Sequence, residues 1–159
     1  MTSIGIISDT HSLLIPKKLL DAFKNTDLII HAGDICDAGT LDILRGLAPV
    51  RAVQGNMDDP ALKKRLPLRD SMAVEGISIG VYHGHGVSRD ALSNAQKQFE
   101  GEDMDIIIFG HSHQPLKQMA GKTLMFNPGS PNDVVRAPYF SYGLLDVHDG
   151  KFKADIVKI

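Results

Sequence analysis

Ile4-Gly5-Ile6-Ile7-Ser8-Asp9-Thr10-His11 is the stretch whose reading decides the fold. Its apolar run is too short for a helix and rich in β-branched residues, so it reads as a buried strand, and it stops on a carboxylate and an imidazole. Pro16 then opens a helix in which Leu19, Leu20 and Phe23 share one face. Leu28 to Ile30 is a second buried strand. Thr40 is placed to cap a helix that carries Leu41, Leu44 and Leu47 inward and closes near Pro49, and Val50 to Gln54 is a third strand. Strand, helix, strand, helix, strand is the order that builds a parallel sheet through right-handed crossovers.

Beyond it a short helix is expected over Ala61 to Arg65. Met72-Ala73-Val74, a Glu75-Gly76 turn and Ile77 to Tyr82 read as a hairpin. Ser88 is placed to cap a helix running to about Phe99, with Ala91, Leu92, Ala95 and Phe99 on its buried side, and Asp105 to Phe109 is a further strand. Lys122 to Phe126, Tyr139 to Val147 and Phe152 to Ile159 alternate as antiparallel strands do, the last two joined by Asp149-Gly150. The expected architecture is α/β, with a parallel half and an antiparallel half packed as two sheets between helices.

At 159 residues the chain is expected to form one domain over residues 1–159, burying roughly 70% of its unfolded surface around a core. The single cysteine, Cys36, has no partner within the chain, and no apolar stretch approaches the ~20 residues of a membrane span. With no charged leader ahead of an apolar segment, a cytoplasmic setting without membrane attachment is expected. Seventeen basic against nineteen acidic residues, without a basic block, argue against long nucleic acid as an obligate partner. The apolar residues around Pro138-Tyr139-Phe140 are candidates for a homo-oligomer interface.

Three other apolar runs end as the first does: Leu28-Ile29-Ile30 leads to His31-Ala32-Gly33-Asp34, Ile77 to Tyr82 leads to His83-Gly84-His85, and Ile106-Ile107-Ile108-Phe109 leads to Gly110-His111-Ser112-His113. The Val50 strand ends in Gly55-Asn56-Met57-Asp58. In an open α/β sheet, ligands bind outside the carboxyl ends of the strands. Pooling these ends gives two carboxylates (Asp9, Asp34), one amide oxygen (Asn56) and four imidazoles (His11, His83, His111, His113). Seven ligands are too many for one tetrahedral zinc and too few for two closed structural sites, and they suit two adjacent ions with positions open to water. Oxygen and nitrogen donors without thiolate favour manganese, iron or zinc over softer metals.

In this order, Asp9-x-His11, Gly33-Asp34, Gly55-Asn56-x-Asp58, His83-Gly84 and Gly110-His111-x-His113 resemble the calcineurin-like metallophosphoesterase superfamily. The short chain, His83-Gly84-His85 and Asn127-Pro128-Gly129-Ser130 narrow the resemblance to its small bacterial and archaeal phosphodiesterase branch. It implies a four-layer αββα sandwich of two mixed sheets flanked by helices. It implies one metal on Asp9, His11 and His113, a second on Asn56, His83 and His111, and Asp34 between them. The two divalent ions would be manganese first, with iron, zinc, nickel or cobalt as the other candidates. The implied activity is hydrolysis of a small phosphodiester by a hydroxide shared between the ions. A phosphomonoesterase or nucleotidase using the same centre is one alternative. A non-catalytic interaction scaffold is another, because the fold serves that purpose in a retromer subunit with degraded metal motifs.

Many members of the superfamily carry a histidine, oriented by the following acid, where this chain has Met57, and a thioether donates no proton. His85 is therefore the expected catalytic side chain, contacting the phosphoryl group or assisting the leaving group. Other polar residues have plainer readings. His31 reads as structural or as orienting a ligand, His148 as a solvated turn residue, Cys36 as a small packing residue and Arg136 as a surface residue. Asn127 to Ser130 reads as a tight turn that the resemblance puts near the site.

Overall fold

The structure is a computed structural model describing residues 1–159. Its elements in chain order are β1 (Thr2–Ile7), α1 (Lys17–Phe23), β2 (Leu28–His31), α2 (Ala38–Arg45), β3 (Val50–Ala52), α3 (Pro60–Arg65), β4 (Arg69–Val74), β5 (Ile77–Tyr82), α4 (Ala91–Gln98), β6 (Ile106–Ile108), β7 (Leu116–Ala120), β8 (Thr123–Asn127), β9 (Ser141–His148) and β10 (Lys151–Lys158). They form two five-stranded sheets, ordered β10-β9-β1-β2-β3 and β4-β5-β6-β8-β7.

Both sheets are mixed, for the same reason. In each, three neighbouring strands run parallel (β1, β2, β3 and β5, β6, β8), and antiparallel pairings add β9 and β10 to one side of the first sheet and β4 and β7 to the two sides of the second. The expected division into a parallel half and an antiparallel half is therefore corrected. β9 returns to the first sheet and pairs with β1 (Ile4 opposite Leu145), so the last hairpin extends the sheet that the N-terminal strand began.

Two-residue periodicity sorts the side chains into layers. Ile4, Ile6 and Ile30 from one sheet meet Ile77, Ile79, Val81, Ile106, Ile108 and Phe126 from the other, which makes the space between the sheets the main core. The residues that point the other way meet helices: Ile7 and Ile29 pack on Leu19, Phe23 and Leu44 of α1 and α2, and Tyr82 and Ile107 pack on Ala91 and Ala95 of α4. Each fully buried isoleucine contributes roughly 1.5–3 kcal/mol relative to exposure, so these four layers of α, β, β and α hold each other in place.

Two helix caps differ from expectation. Asp37, not Thr40, caps α2, its carboxylate accepting the Thr40 N–H at 3.0 Å. Asp90, not Ser88, caps α4, accepting the N–H groups of Leu92 and Ser93, while Ser88 Oγ accepts the Asp90 N–H. A carboxylate satisfies the free N–H groups and also opposes the positive end of the helix dipole. The edge strand β7 has no counterpart in the sequence reading, and β3 is shorter than expected. No helix is long and apolar enough to cross a membrane.

Candidate metal centre

The parallel strands β1, β2, β5 and β6 deliver their C-terminal loops to one edge of the two sheets, and the main chain ties those loops together. The N–H groups of Asp9, His11 and Ser12 donate to the carbonyls of Gly33, Asp34 and Ile35 at 3.0–3.1 Å, so the first two loops run side by side. The Gly110 N–H donates to His83 O at 2.9 Å, which joins the other two. Asp9 Oδ2 accepts the His111 N–H at 3.0 Å across the sheets, and Asp34 Oδ1 accepts the Met57 N–H at 2.8 Å. Asp9, His11, Asp34, His111 and His113 all have positive φ, between 48° and 68°. L-residues adopt this conformation at a cost, and such strain gathers where surrounding structure holds side chains for a task.

Two of the glycines that punctuate these loops are needed for close approach. A Cβ at Gly55 would fall inside the contact radius of Asp34 Oδ1 and of the Asp34 backbone nitrogen, and one at Gly110 would collide with Ser8 Oγ and lie 2.6 Å from Asp9 Oδ2.

The loops bring six of the seven sequence-derived ligands into two groups, Asp9 with His11 and His113, and Asp34 with His83 and His111. In the first, His113 Nε2 lies 3.3 Å from Asp9 Oδ1 and 3.2 Å from His11 Nε2, which is itself 3.8 Å from Asp9 Oδ1. In the second, His83 Nε2 lies 3.2 Å from Asp34 Oδ2. Asp34 Oδ2 is also 3.7 Å from His11 Nε2, within reach of both groups. Donor atoms that share one ion at about 2.0–2.2 Å lie roughly 3.0–3.5 Å from one another, so these spacings fit cations. Asp9 Oδ1 and His83 Nε2, one in each group, are moreover buried without any hydrogen-bond partner, a costly condition that a cation in each group would relieve.

Hydrogen bonds on the far side of two rings set which nitrogen is offered. His83 Nδ1 sits 2.7 Å from Ala32 O, so Nδ1 carries the proton and Nε2 keeps its lone pair. His113 Nδ1 is hydrogen-bonded to Asp133 Oδ2, again leaving Nε2 for the cluster. Burial opposes the charged forms here, but among these side chains by themselves the attraction of carboxylates for protonated rings prevails. Imidazoles of His113 and His83 hold Asp9 below the usual carboxylate range, His83 and the Met57 N–H bring Asp34 to about 2, and Asp9 and Asp133 raise His113.

Asn56, the seventh expected ligand, is exposed and does not have a positive φ; its main-chain carbonyl accepts from Lys63 Nζ at 2.7 Å. It follows Gly55 directly and so borders the Asp34 group. Asp58 is buried with both carboxylate oxygens engaged, by the Cys36 and Gly55 N–H groups at 2.7 Å each. His85 belongs to neither group. Its ring stacks on Tyr82 and lies 5.6 Å, centroid to centroid, from His83 and 6.4 Å from His111, with Nδ1 buried and unpartnered.

His31 is structural, as read from the sequence: it accepts the Gly33 N–H at Nδ1, lies 3.1 Å from Thr10 Oγ1 at Nε2, and burial pushes its pKa down to about 3. Cys36 does more than fill space, since its Sγ lies 3.6 Å from His11 Nδ1. Burial, aided by Asp34 and Asp58, pushes the thiol up to about 11, so it stays protonated. Ser130 is fully buried and donates to Asp9 O at 2.9 Å, so the Asn127 to Ser130 turn braces the Asp9 loop. His148 is the exposed last residue of β9 and not part of the turn that follows, and it lies beside Glu75 and Asp149.

Asp133 went unread in the sequence. In Pro131-Asn132-Asp133 it has the composition of any turn, and only its position four residues beyond the Pro-Gly motif hinted at the site.

Residues 2–150 match the calcineurin-like phosphoesterase superfamily domain. A probable metallophosphoesterase of Methanocaldococcus jannaschii is 40% identical, the match covering 98% of this chain and 81% of that protein. The phosphodiesterase YfcE of Escherichia coli is 26% identical over 92% of this chain and 88% of its own length. Among solved structures, wild-type Vps29 of Entamoeba histolytica complexed with zinc is similar at a TM-score of 0.76 and 29% identity, over 98% of each chain.

Proposed function

The chain belongs to the calcineurin-like phosphoesterase superfamily, and from that membership we propose that it is a phosphodiesterase dependent on two divalent cations. One observation carries the reading: six carboxylate and imidazole side chains from four loops converge in two adjoining groups, with Asp34 Oδ2 within reach of both. Asp9, His11 and His113 would hold one ion and Asn56, His83 and His111 the other, with Asp34 available to both. Manganese is the expected metal, with iron, zinc, nickel or cobalt as alternatives. The zinc in the Vps29 complex supports an ion of this size and softness.

When bound, such ions lower the pKa of water toward ~7 and neutralise charge on phosphoryl oxygens. The chain's own residues orient and exclude. Ala32 O and Asp133 fix the tautomers of His83 and His113, and the His111 and Met57 N–H groups hold the Asp9 and Asp34 carboxylates. His85, one residue beyond the Gly84 turn and close to His83 and His111, contacts the phosphoryl group or the leaving oxygen. His85→Ala is expected to lower kcat for an unactivated dialkyl diester by at least about tenfold, toward the low end of acid–base contributions, and to spare an activated aryl diester more. Unchanged turnover of the dialkyl substrate would remove His85 from the mechanism.

A monoester dianion calls for more positive charge than the cleft beside His11 and His113 offers, where Arg136 is the one cationic side chain besides the imidazoles. This favours the diester reading over a phosphomonoesterase or nucleotidase. Retention of all seven candidate ligands favours an enzyme over a scaffold of the same fold. The substrate is a small diester, the domain spans residues 1–159, and the setting is cytoplasmic.

The deciding measurement strips the protein with a chelator, restores each metal, and follows bis(p-nitrophenyl) phosphate and p-nitrophenyl phosphate together with metal content. Diester turnover should vanish on stripping, return first with manganese and exceed monoester turnover. Silence with every metal would leave the scaffold.

A further inference from the structure

Beside His11 and His113 the ligand groups open into a cleft of about 300 Å³, walled by Leu13, Met57 and Val135 and edged by Arg136. Its three apolar side chains are 51%, 59% and 85% exposed. Single exposed aliphatic side chains are ordinary, but three that converge on one mouth beside a polar cluster form a surface suited to an apolar ligand group.

The walls are also fixed in place. Asn132 Nδ2 donates to Thr10 O at 3.1 Å and Leu14 O at 3.4 Å, fastening the Leu13 loop to the Val135 loop. Asp133 Oδ1 accepts the Val135 and Arg136 N–H groups at 2.8 and 3.2 Å while Oδ2 holds His113. Met57 is held by its N–H on Asp34. A prearranged wall loses little conformational freedom when it is covered.

The geometry points to this cleft as the subsite for a flat aromatic substituent on the phosphodiester, aryl or nucleobase. The inference rests on the diesterase reading above and adds the class of substrate. Branched aliphatic side chains cover ring faces, and the Met57 thioether and Arg136 guanidinium both interact favourably with aromatic rings. The volume takes one ring system and is small for a lipid or a polymer. On the other side of the ligand groups, the cleft of about 320 Å³ lined by His85, Asn94, Lys97 and Gln98 along with Tyr82 and Val87 is the more polar of the two, so it suits the more hydrophilic substituent.

The test uses zinc-loaded protein and three monoanions: methyl methylphosphonate, methyl phenylphosphonate and the 5′-thymidine ester of methylphosphonic acid. Affinity is read by titration, and location by the NMR shifts of the Leu13, Met57 and Val135 methyl groups. Burying one ring face should make at least one aromatic ligand bind about tenfold tighter than methyl methylphosphonate and shift all three methyl groups. The tighter of the two distinguishes aryl from nucleobase.

Leu13→Asp and Val135→Asp, both at exposed positions, should bring that ratio to within about twofold, whereas Met119→Asp, exposed on β7 and outside both clefts, should leave it alone. A wild-type ratio near one, or shifts confined to Val87 and Tyr82, overturns the cleft assignment while metal-dependent diester hydrolysis still stands. If none of the three binds and no diester is hydrolysed, the diesterase reading fails and this inference fails with it.

Discussion

The two ligand groups use the same side-chain chemistry but are anchored by different means. In the Asp34 group, His83 is oriented by the main chain, through Ala32 O, and is fully buried. In the Asp9 group, His113 is oriented by a side chain, Asp133, on a loop that also walls the cleft, and His11 stands partly open to solvent. A main-chain acceptor cannot be removed by substitution and carries no net charge. A carboxylate can be removed, and it strengthens the basicity of the imidazole it holds. One group is thus set by the fold and the other by a single replaceable residue.

Asp34 is the place to break the distinction, because it serves both groups. Asp34→Ala should cost roughly 10²–10³-fold in diester turnover, the scale of losing one prearranged electrostatic partner, and should lower the metal content of purified protein. Metal analysis and kcat check this together. Two ions retained with turnover intact would mean that the groups are independent.

Gly55→Ala tests the fold-anchored side. The added methyl cannot coexist with Asp34 in its present position, and one of its opponents is backbone, which does not yield as a flexible side chain does. Overpacking of this kind typically costs about 1–3 kcal/mol. The expected result is a lower thermal midpoint and weakened metal binding at the same time. A stability loss with metal affinity unchanged would show that the Gly55 loop can move without disturbing Asp34.

Asp133→Asn tests the side that a single residue holds. Asparagine keeps an oxygen for the Val135 and Arg136 N–H groups but removes the charge that faces His113 Nδ1. Loss of such a partner typically costs 10–100-fold in metal affinity, so calorimetry should show roughly that for one ion while the thermal midpoint of the metal-free protein barely changes. Equal weakening of both ions would erase the distinction between the groups.

The same contrast explains what the sequence disclosed. Apolar runs that stop on Asp or His were legible because strand burial and ligand chemistry are both local, and so Asp9, Asp34, His83, His111 and His113 could be read from their own neighbourhoods. Which strand joins which sheet is a long-range choice. Nothing in Tyr139 to Val147 says that β9 will lie against β1 rather than among the strands just before it. β7 was missed because Leu116-Lys117-Gln118-Met119-Ala120 is an edge strand with three exposed central residues, lacking the alternation that a half-buried strand displays. Asp133 was missed because a carboxylate that orients a ligand and one that closes a turn are the same residue in the same kind of sequence, and here Asp133 does both.

The smallest expected effect comes from Met57→His. By family resemblance, a histidine at this position assists the leaving group when the following acid orients it, so the substitution would be expected to restore a general acid. The geometry of Asp58 argues against that. Both of its oxygens are taken by the Cys36 and Gly55 N–H groups, and it is buried, whereas the residue 57 side chain faces outward into the cleft. A histidine placed there would have no carboxylate to hold it, and an unpositioned imidazole contributes little of the roughly 10²–10⁴-fold that a positioned acid or base supplies. Turnover of an unactivated diester by Met57→His should therefore stay within about threefold of the parent. A gain of tenfold or more would mean that Asp58 releases one of its backbone partners to orient the new ring, and that the loop behind the Asp34 group is less firmly set by the fold than its hydrogen bonds indicate.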